Sequence, residues 1–343
     1  MPLLQRFLSL TLCALGLSAQ ANTGLTEMPA TATHGPLTVF YPTAGPEQDV
    51  ARPPFTLRLA PKAPLAPGNG ALVVLSHGSG SYPWVYTDTA RALVAAGFVV
   101  VVPEHAGNNF HDDRDAGPAS WIKRPQEVSQ AIDAMAQSPV FANALRFDKV
   151  GMYGMSAGGH TALSLAGGQW SAARFMRHCQ AHIAEDFNAC VGKLTSLTGG
   201  WWDGLKLWAT RWYIGFKFND DTVHEHTDPR VAAVVAGVPF AADFDPASLR
   251  QPKTKLALIT AGADVWLHPV FHSDVVLAQC ASCTHLLHLP DGGHGALLSP
   301  ITPDLASPVR ELIANSPGFN AAQATAQANQ AMVLYFQQHL LPQ

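Results

Sequence analysis

Six apolar runs without the polar–apolar alternation of a half-exposed strand most constrain this fold. They are Ala71–Ser76, Phe98–Val102, Asp148–Tyr153, Val231–Ala236, Leu256–Thr260 and His285–Leu289. A strand with one wet face alternates polar and apolar residues, whereas a strand covered on both faces has no reason to. Helical patterns lie between the early runs. Thr87 to Ala96 repeats apolar residues at helical spacing and is ended by Gly97, and a second helix begins at Pro125 and sets Val128, Ile132 and Met135 on one face. Strands alternating with helices in this way predict an α/β fold with a mostly parallel sheet covered on both sides. Leu37 to Tyr41 and Phe55 to Leu59 alternate more and sit among prolines, which predicts antiparallel edge strands. The stretch from Ala321 to Leu340 reads as a last helix with Met332, Leu334, Tyr335 and Phe336 forming its apolar patch.

One interval breaks the alternation. Residues 169–228 follow neither strand nor helix periodicity and hold Trp170, Trp201, Trp202, Trp208 and Trp212, which predicts an inserted cap over the carboxyl edge of the sheet. Five tryptophans there suit packing, and equally an apolar pocket for an acyl group. At the other end of the chain, Arg6, the apolar run Phe7–Leu17 and Ala19-Gln20-Ala21 have the order of a secretory leader, with cleavage after Ala21. The run is too short to span a bilayer, and Cys13 lacks the preceding small residue of a lipoprotein signal. The expected organisation is therefore a leader over residues 1–21 and one α/β domain over 22–343, exported to the periplasm or the medium. No later run is long enough for an integral span. Charged residues make up 13% of the chain, the formal net charge is −4 and no basic cluster occurs, so neither nucleic acid nor an anionic membrane is an expected partner. Beyond Cys13 there remain Cys179, Cys190, Cys280 and Cys283, an even set that predicts two disulfides in an exported chain. Local pairing, Cys179 with Cys190 and Cys280 with Cys283, closes the shortest loops. Nothing in the sequence speaks to oligomeric state.

The chemistry centres on Gly154-Met155-Ser156-Ala157-Gly158, set between the Asp148–Tyr153 strand and a helical stretch, Gly159 to Ala166, that Gly167-Gly168 would end. Glycine–x–serine–x–glycine at a strand-to-helix turn exposes a serine hydroxyl at the sheet edge in a strained backbone. A hydroxyl is a poor nucleophile until a base takes its proton, and the base needs an acceptor to fix its tautomer. Candidates follow in the order serine, acid, histidine. Asp264 comes after the Leu256–Thr260 strand, and His294 lies in the glycine-rich loop Asp291–Gly295 after the last strand. Asp243, after the preceding strand, is the alternative acid, although Asp243-Phe244-Asp245-Pro246 also reads as a simple turn. The oxyanion of a tetrahedral intermediate needs two preset N–H donors. Ala157, just after the serine, supplies one, and Ser79 in the loop His77-Gly78-Ser79-Gly80 supplies the other. His224-Glu225-His226 and His111-Asp112-Asp113 lack the spacing of a metal site, so neither metal nor organic cofactor is expected. Glu104-His105 lies at the same sheet edge without an assignable role.

Leu75–Gly80, Val102–Asn108 and Gly154–Gly159 together resemble the serine α/β-hydrolases known as predicted dienelactone hydrolases, relatives of the platelet-activating-factor acetylhydrolases. The resemblance runs from about residue 35 to 340 and is weakest between 169 and 228. It implies an eight-stranded, mostly parallel sheet and an esterase triad at Ser156, Asp264 and His294, with Ser79 and Ala157 as oxyanion donors. True dienelactone hydrolases use cysteine where this chain has Ser156, and the acetylhydrolase relatives draw their acid from the earlier strand, where Asp243 lies. The resulting expectation is a serine hydrolase of small carboxylic esters. A prolyl-oligopeptidase-type peptidase shares the elbow and triad order but normally carries a large gating domain, for which the N-terminal part is too short. An inactive binding protein on the same fold is the remaining alternative.

Overall fold

A computed structural model describes residues 21–342. The stretch read as a leader, with Cys13, lies outside the described residues, apart from Ala21. Ten strands form one mixed sheet in the order β10-β9-β8-β7-β5-β6-β2-β1-β4-β3. The strands are β1 (Asn22–Met28), β2 (Leu37–Thr43), β3 (Gln48–Arg52), β4 (Phe55–Pro61), β5 (Ala71–Ser76), β6 (Val99–Pro103), β7 (Arg146–Met155), β8 (Val231–Gly237), β9 (Lys255–Ala261) and β10 (Thr284–Leu289). From β6 to β10 along the sheet all neighbours pair in parallel. β2 is antiparallel to both β6 and β1, and β3 is antiparallel to β4.

Ten strands rather than eight correct the expected count, and the sheet is mixed. The two unforeseen strands are short on apolar residues. β1 reads Asn-Thr-Gly-Leu-Thr-Glu-Met and β3 reads Gln-Asp-Val-Ala-Arg at the edge, so neither shows the pattern of a covered strand. β2 is not an edge strand either. β1 and β6 flank it, and all seven of its residues are buried.

Helices cover both faces because side chains of the central strands alternate between them. Leu72, Val74, Val99 and Val101 enter one core; Val73, Leu75, Val100 and Val102 enter the other. The first core is closed by α2 (Pro118–Gln137) and α3 (Ala157–Leu165), the second by α1 (Thr87–Ala95) and α9 (Ala321–Leu340). α2 starts at Pro118 rather than Pro125. Pro118 stands near the helix start, where its missing N–H is harmless, while Pro125 sits inside the helix. Burial of Trp121, Arg124 and Val128 on either side of Pro125 supplies the packing that carries the helix through a residue that would otherwise break it. In α9, Met332, Tyr335 and Phe336 are buried, but Leu334 faces solvent.

Between α3 and β8 the chain departs from the sheet into α4 (Ala172–His182), α5 (Phe187–Val191) and α6 (Asp203–Lys217). The two ends of this segment meet: Trp170 and His224 exchange both backbone hydrogen bonds, at 3.1 and 2.8 Å. Cys179 is bonded to Cys190, joining α4 to α5, and Cys280 to Cys283 at the end of α7 (Ser273–Gln279). A short helix, α8 (Ser307–Leu312), precedes α9. Among the described residues no helix is long and apolar enough to cross a membrane.

Candidate active site

The parallel strands β5, β7, β9 and β10 end on one edge of the sheet, and the loops leaving them hold the candidate residues. Ser156 follows β7 with φ +60° and ψ −118°, a region in which side chains other than glycine are strained. The neighbours make room for it. A Cβ on Gly154 would lie 1.9 Å from the Gly158 carbonyl oxygen, and one on Gly158 would lie 1.9 Å from that of Ser76. Glycine is thus required at both positions by backbone contact.

Ser156, His294 and Asp264 are joined by hydrogen bonds. Ser156 Oγ lies 2.9 Å from His294 Nε2, and His294 Nδ1 lies 2.8 Å from Asp264 Oδ2. Asp264 Oδ1 accepts from the backbone N–H groups of Trp266 and Leu267 at 2.8 and 2.9 Å. Burial favours the neutral acid, but the His294 ring and these two amides outweigh it and hold the Asp264 carboxyl below its usual range. An ionised carboxylate only accepts, so Nδ1 of His294 carries the proton and Nε2 is free to receive the one on Ser156 Oγ. The loop bearing His294 is fastened by Gly293 N–H to Asn315 Oδ1 at 2.9 Å and by Ala263 N–H to the Gly292 carbonyl at 3.0 Å.

Asp243, the alternative acid, is elsewhere. It is completely buried, and its Oδ2 pairs with His160 Nε2 at 2.9 Å in a box formed by Trp121, Trp170, Phe240 and Phe244. The turn reading holds for the backbone: Phe244 N–H donates to the Ala241 carbonyl at 3.3 Å across Asp243, and Asp245 accepts from Ala247 N–H, while the Asp243 side chain is a core partner of α3.

The loop after β5 is held from three directions. Gly78 N–H donates to the Tyr86 hydroxyl at 3.1 Å, and Asn108 Nδ2 donates to Ser79 Oγ at 2.8 Å. The fully buried Arg124 guanidinium donates to the His77 carbonyl at 2.6 Å and to Asn108 Oδ1 at 2.6 Å. Burial lowers its pKa to about 10, which leaves it charged at neutral pH. Gly78 N–H is therefore spoken for, and Ser79 follows in a fixed loop. Ala157 opens α3, where a helix has no acceptor of its own for the N–H.

Sequence reasoning missed Arg124 altogether, since a lone arginine in a helix carries no signal of burial. It also left His105 without a role. His105 Nδ1 lies 2.6 Å from Glu127 Oε2 and its Nε2 lies 2.7 Å from Ser76 Oγ. Burial, with Arg124 close by, pushes its pKa well below the usual histidine value, so the ring is neutral. The order serine–histidine–carboxylate thus occurs twice at this edge, but Ser76 is enclosed within β5.

The 169–228 segment touches the loops on both sides of Ser156. Lys193 Nζ reaches Asp113 Oδ2 at 3.2 Å beside Gly80, and Asn188 Nδ2 donates to the Val265 carbonyl at 2.9 Å. Its tryptophans do not gather into a shared pocket. Trp170 is in the core, whereas Trp201, Trp202, Trp208 and Trp212 are exposed. His224 packs on Trp170, His226 pairs with Ser129 and Glu225 with Lys253. No group of three or more His, Cys, Asp or Glu side chains among the described residues is placed to hold a metal ion.

Strand order, a serine at a strand-to-helix turn and loops converging on the carboxyl edge define the α/β-hydrolase fold. No protein-family model matches the sequence, and no curated protein matches it. Among solved structures, the ferulic acid esterase from Streptomyces cinnamoneus is similar, with a TM-score of 0.60 over 96% of this chain and 92% of its own, at 16% identity. At that identity the likeness is one of fold.

Proposed function

We propose that the protein is an exported serine hydrolase of carboxylic esters. The observation that carries the reading is the chain from Ser156 Oγ through His294 to an ionised Asp264, with Ser156 in a strained turn at the sheet edge. Ser156 Oγ attacks the ester carbonyl carbon while its proton passes to His294 Nε2. The oxyanion so formed is met by the N–H groups of Ser79 and Ala157. Collapse expels the alcohol, which takes the proton back from His294, and leaves an acyl group on Ser156. Water then attacks, again giving a proton to His294, and the acid departs as Oγ is reprotonated. Asp264 holds the tautomer and balances the imidazolium. Every step runs on this chain's own groups, with a small ester as substrate. The 169–228 segment is assigned as a cap inserted into one hydrolase domain spanning 22–343, since it borders the loops at Gly80 and Val265. The resemblance of the motif residues to the predicted dienelactone hydrolase group and its acetylhydrolase relatives supports this reading.

The test is turnover of p-nitrophenyl esters from acetate to decanoate, with ferulate esters as a further arm suggested by the structural neighbour. Ser156→Ala should abolish turnover, and a fluorophosphonate should label the wild type on Ser156 alone. A wild type that neither turns over esters nor takes the label refutes the reading and leaves a binding role. Faster cleavage of a proline amide than of any ester would make it a peptidase.

A further inference from the structure

α6 carries its apolar residues on the outside. Leu205, Trp208, Trp212 and Phe216 recur at spacings of three and four and so form one stripe along the helix, which Trp201 in the turn just before the helix adjoins, and all five are exposed, from 51% for Leu205 to 81% for Trp201. The opposite face buries Ile214 and packs Leu207 against the core. The stripe presents roughly 700 Å² of mostly aromatic surface, at or above the largest apolar patch of an ordinary monomer. At 100° per residue, Lys206 and Lys217 flank it on one side and Arg211 on the other. Lys206 is tied to Asp203 and the Ser196 carbonyl, while Arg211 and Lys217 are exposed and make no ion pair among the described residues.

We infer that this face of α6 docks on the surface of an anionic lipid bilayer, lying in the headgroup plane with its tryptophans inserted. Three observations choose this occupant. The stripe is dominated by tryptophan, whose ring is apolar and whose N–H must stay near water, a combination suited to the membrane–water boundary. Cations flank the stripe on both sides, on stems long enough to keep the charge wet while the indoles descend. The helix carries three cations against the single carboxylate of Asp203, in a chain whose formal net charge is −4. A second copy of the chain fits less well, because pairing two such stripes sets cationic flank against cationic flank. Scattered through a mixed sequence, these lysines and the arginine form no linear cluster; folding gathers them. Since the same segment touches the loops at Gly80 and Val265, docking would hold those loops at the lipid boundary.

Co-sedimentation with large unilamellar vesicles tests the inference. One set would be equal parts phosphatidylglycerol and phosphatidylcholine, the other phosphatidylcholine alone. The wild type should pellet with the mixed vesicles and less with the neutral ones, high salt should weaken the binding, and brominated lipid should quench tryptophan fluorescence. Trp208→Ser with Trp212→Ser should lower the partition coefficient at least about a hundredfold. Arg211→Gln with Lys217→Gln should lower it about twenty-five-fold on mixed vesicles, near fivefold per cation, and leave neutral vesicles unchanged. Ser156→Ala should bind as the wild type does, so that loss of esterase activity and loss of docking are separable. If the tryptophan variant precipitates, the glutamine variant decides by itself. The inference is overturned if the wild type stays in the supernatant with both vesicles, or if both variants bind like the wild type. It is also overturned if sedimentation velocity finds a wild-type dimer that the tryptophan substitutions dissociate.

Discussion

Replacing Asp264 by asparagine is the sharpest probe of the proposed mechanism, because the structure dictates which way the new amide must face. Asp264 Oδ1 receives two backbone N–H bonds, from Trp266 and Leu267. Turning the amide nitrogen that way would oppose donor to donor twice, so the oxygen stays and the nitrogen faces His294 Nδ1. Nδ1 must then accept, the ring proton moves to Nε2, and the nitrogen that should take the proton from Ser156 is already occupied. The productive tautomer is reached only by setting two donors against each other and without the carboxylate that steadies the imidazolium. A loss of about 10⁴ in kcat follows, equivalent to about 5.5 kcal/mol, with KM little changed. Asp243→Asn is the control: it should keep kcat within about fivefold. It should also lower stability by about 1–3 kcal/mol, because it disturbs a hydrogen bond in a core where Asp243 Oδ1 and His160 Nδ1 already lack partners. The assay is steady-state ester hydrolysis, with urea unfolding to confirm that both variants fold. An Asp264→Asn enzyme within about tenfold of wild type, or a thousandfold loss in folded Asp243→Asn, would refute the assignment.

Three further outcomes follow from the same geometry. Gly158→Ala drives a Cβ to 1.9 Å from the Ser76 carbonyl oxygen and should cost more than about 4 kcal/mol, read as loss of soluble folded protein, whereas Gly204→Ala in α6, with open space around it, should be neutral or slightly stabilising by thermal melting. Arg124→Met leaves the His77 carbonyl buried without its donor and Asn108 Oδ1 with only the longer bond from Ser120 Oγ; kcat should fall about ten- to a hundredfold at nearly constant KM, with about 3 kcal/mol of stability lost, and an unchanged kcat would show that the loop does not depend on this anchor. Burial opposes ionisation of Asp186, but hydrogen bonds from His178 and His272 outweigh it and hold the carboxyl well below its usual range. A depressed carboxyl stabilises the fold above its unfolded pKa of about 3.9, and that contribution drains away as pH falls towards the lower folded value. The melting-temperature gap between wild type and Asp186→Asn should therefore be full near neutrality and narrow below about pH 4; a gap constant across that range would contradict it.

What could be read in the sequence was what depends on local pattern. The covered strands announce themselves by unbroken apolar runs, the turn at Ser156 by its glycines, and Asp264 and His294 by their places just after strands. What could not be read depends on partners distant along the chain. β2 looks like an edge strand until β1 and β6 are known to flank it. The start of α2 is set by the burial of Trp121 and Arg124, against the usual effect of Pro125. Asp243 and Asp264 look alike as residues following strands; only the position of His160 on α3 draws the first into the core. The tryptophans between 200 and 212 read as packing within a cap or as an acyl pocket, and it is the burial of Ile214 on the opposite face of α6 that turns them outward.

The paired ends at Trp170 and His224 have a consequence for how such a chain can change. The two ends of the segment are joined by a pair of backbone hydrogen bonds between Trp170 and His224, with Ala173 N–H on the Asp220 carbonyl just inside and Trp170 packed under the His224 ring as a fixed floor. A loop whose ends already meet imposes no length on what it contains. Outside the residues it buries in the core, such as Phe175, Ile183, Phe187 and Ile214, residues can be gained, lost or exchanged between these two points while β7, α3 and β8 keep their register. Whatever that segment meets can therefore evolve on its own schedule, above a sheet edge whose glycines permit almost nothing else.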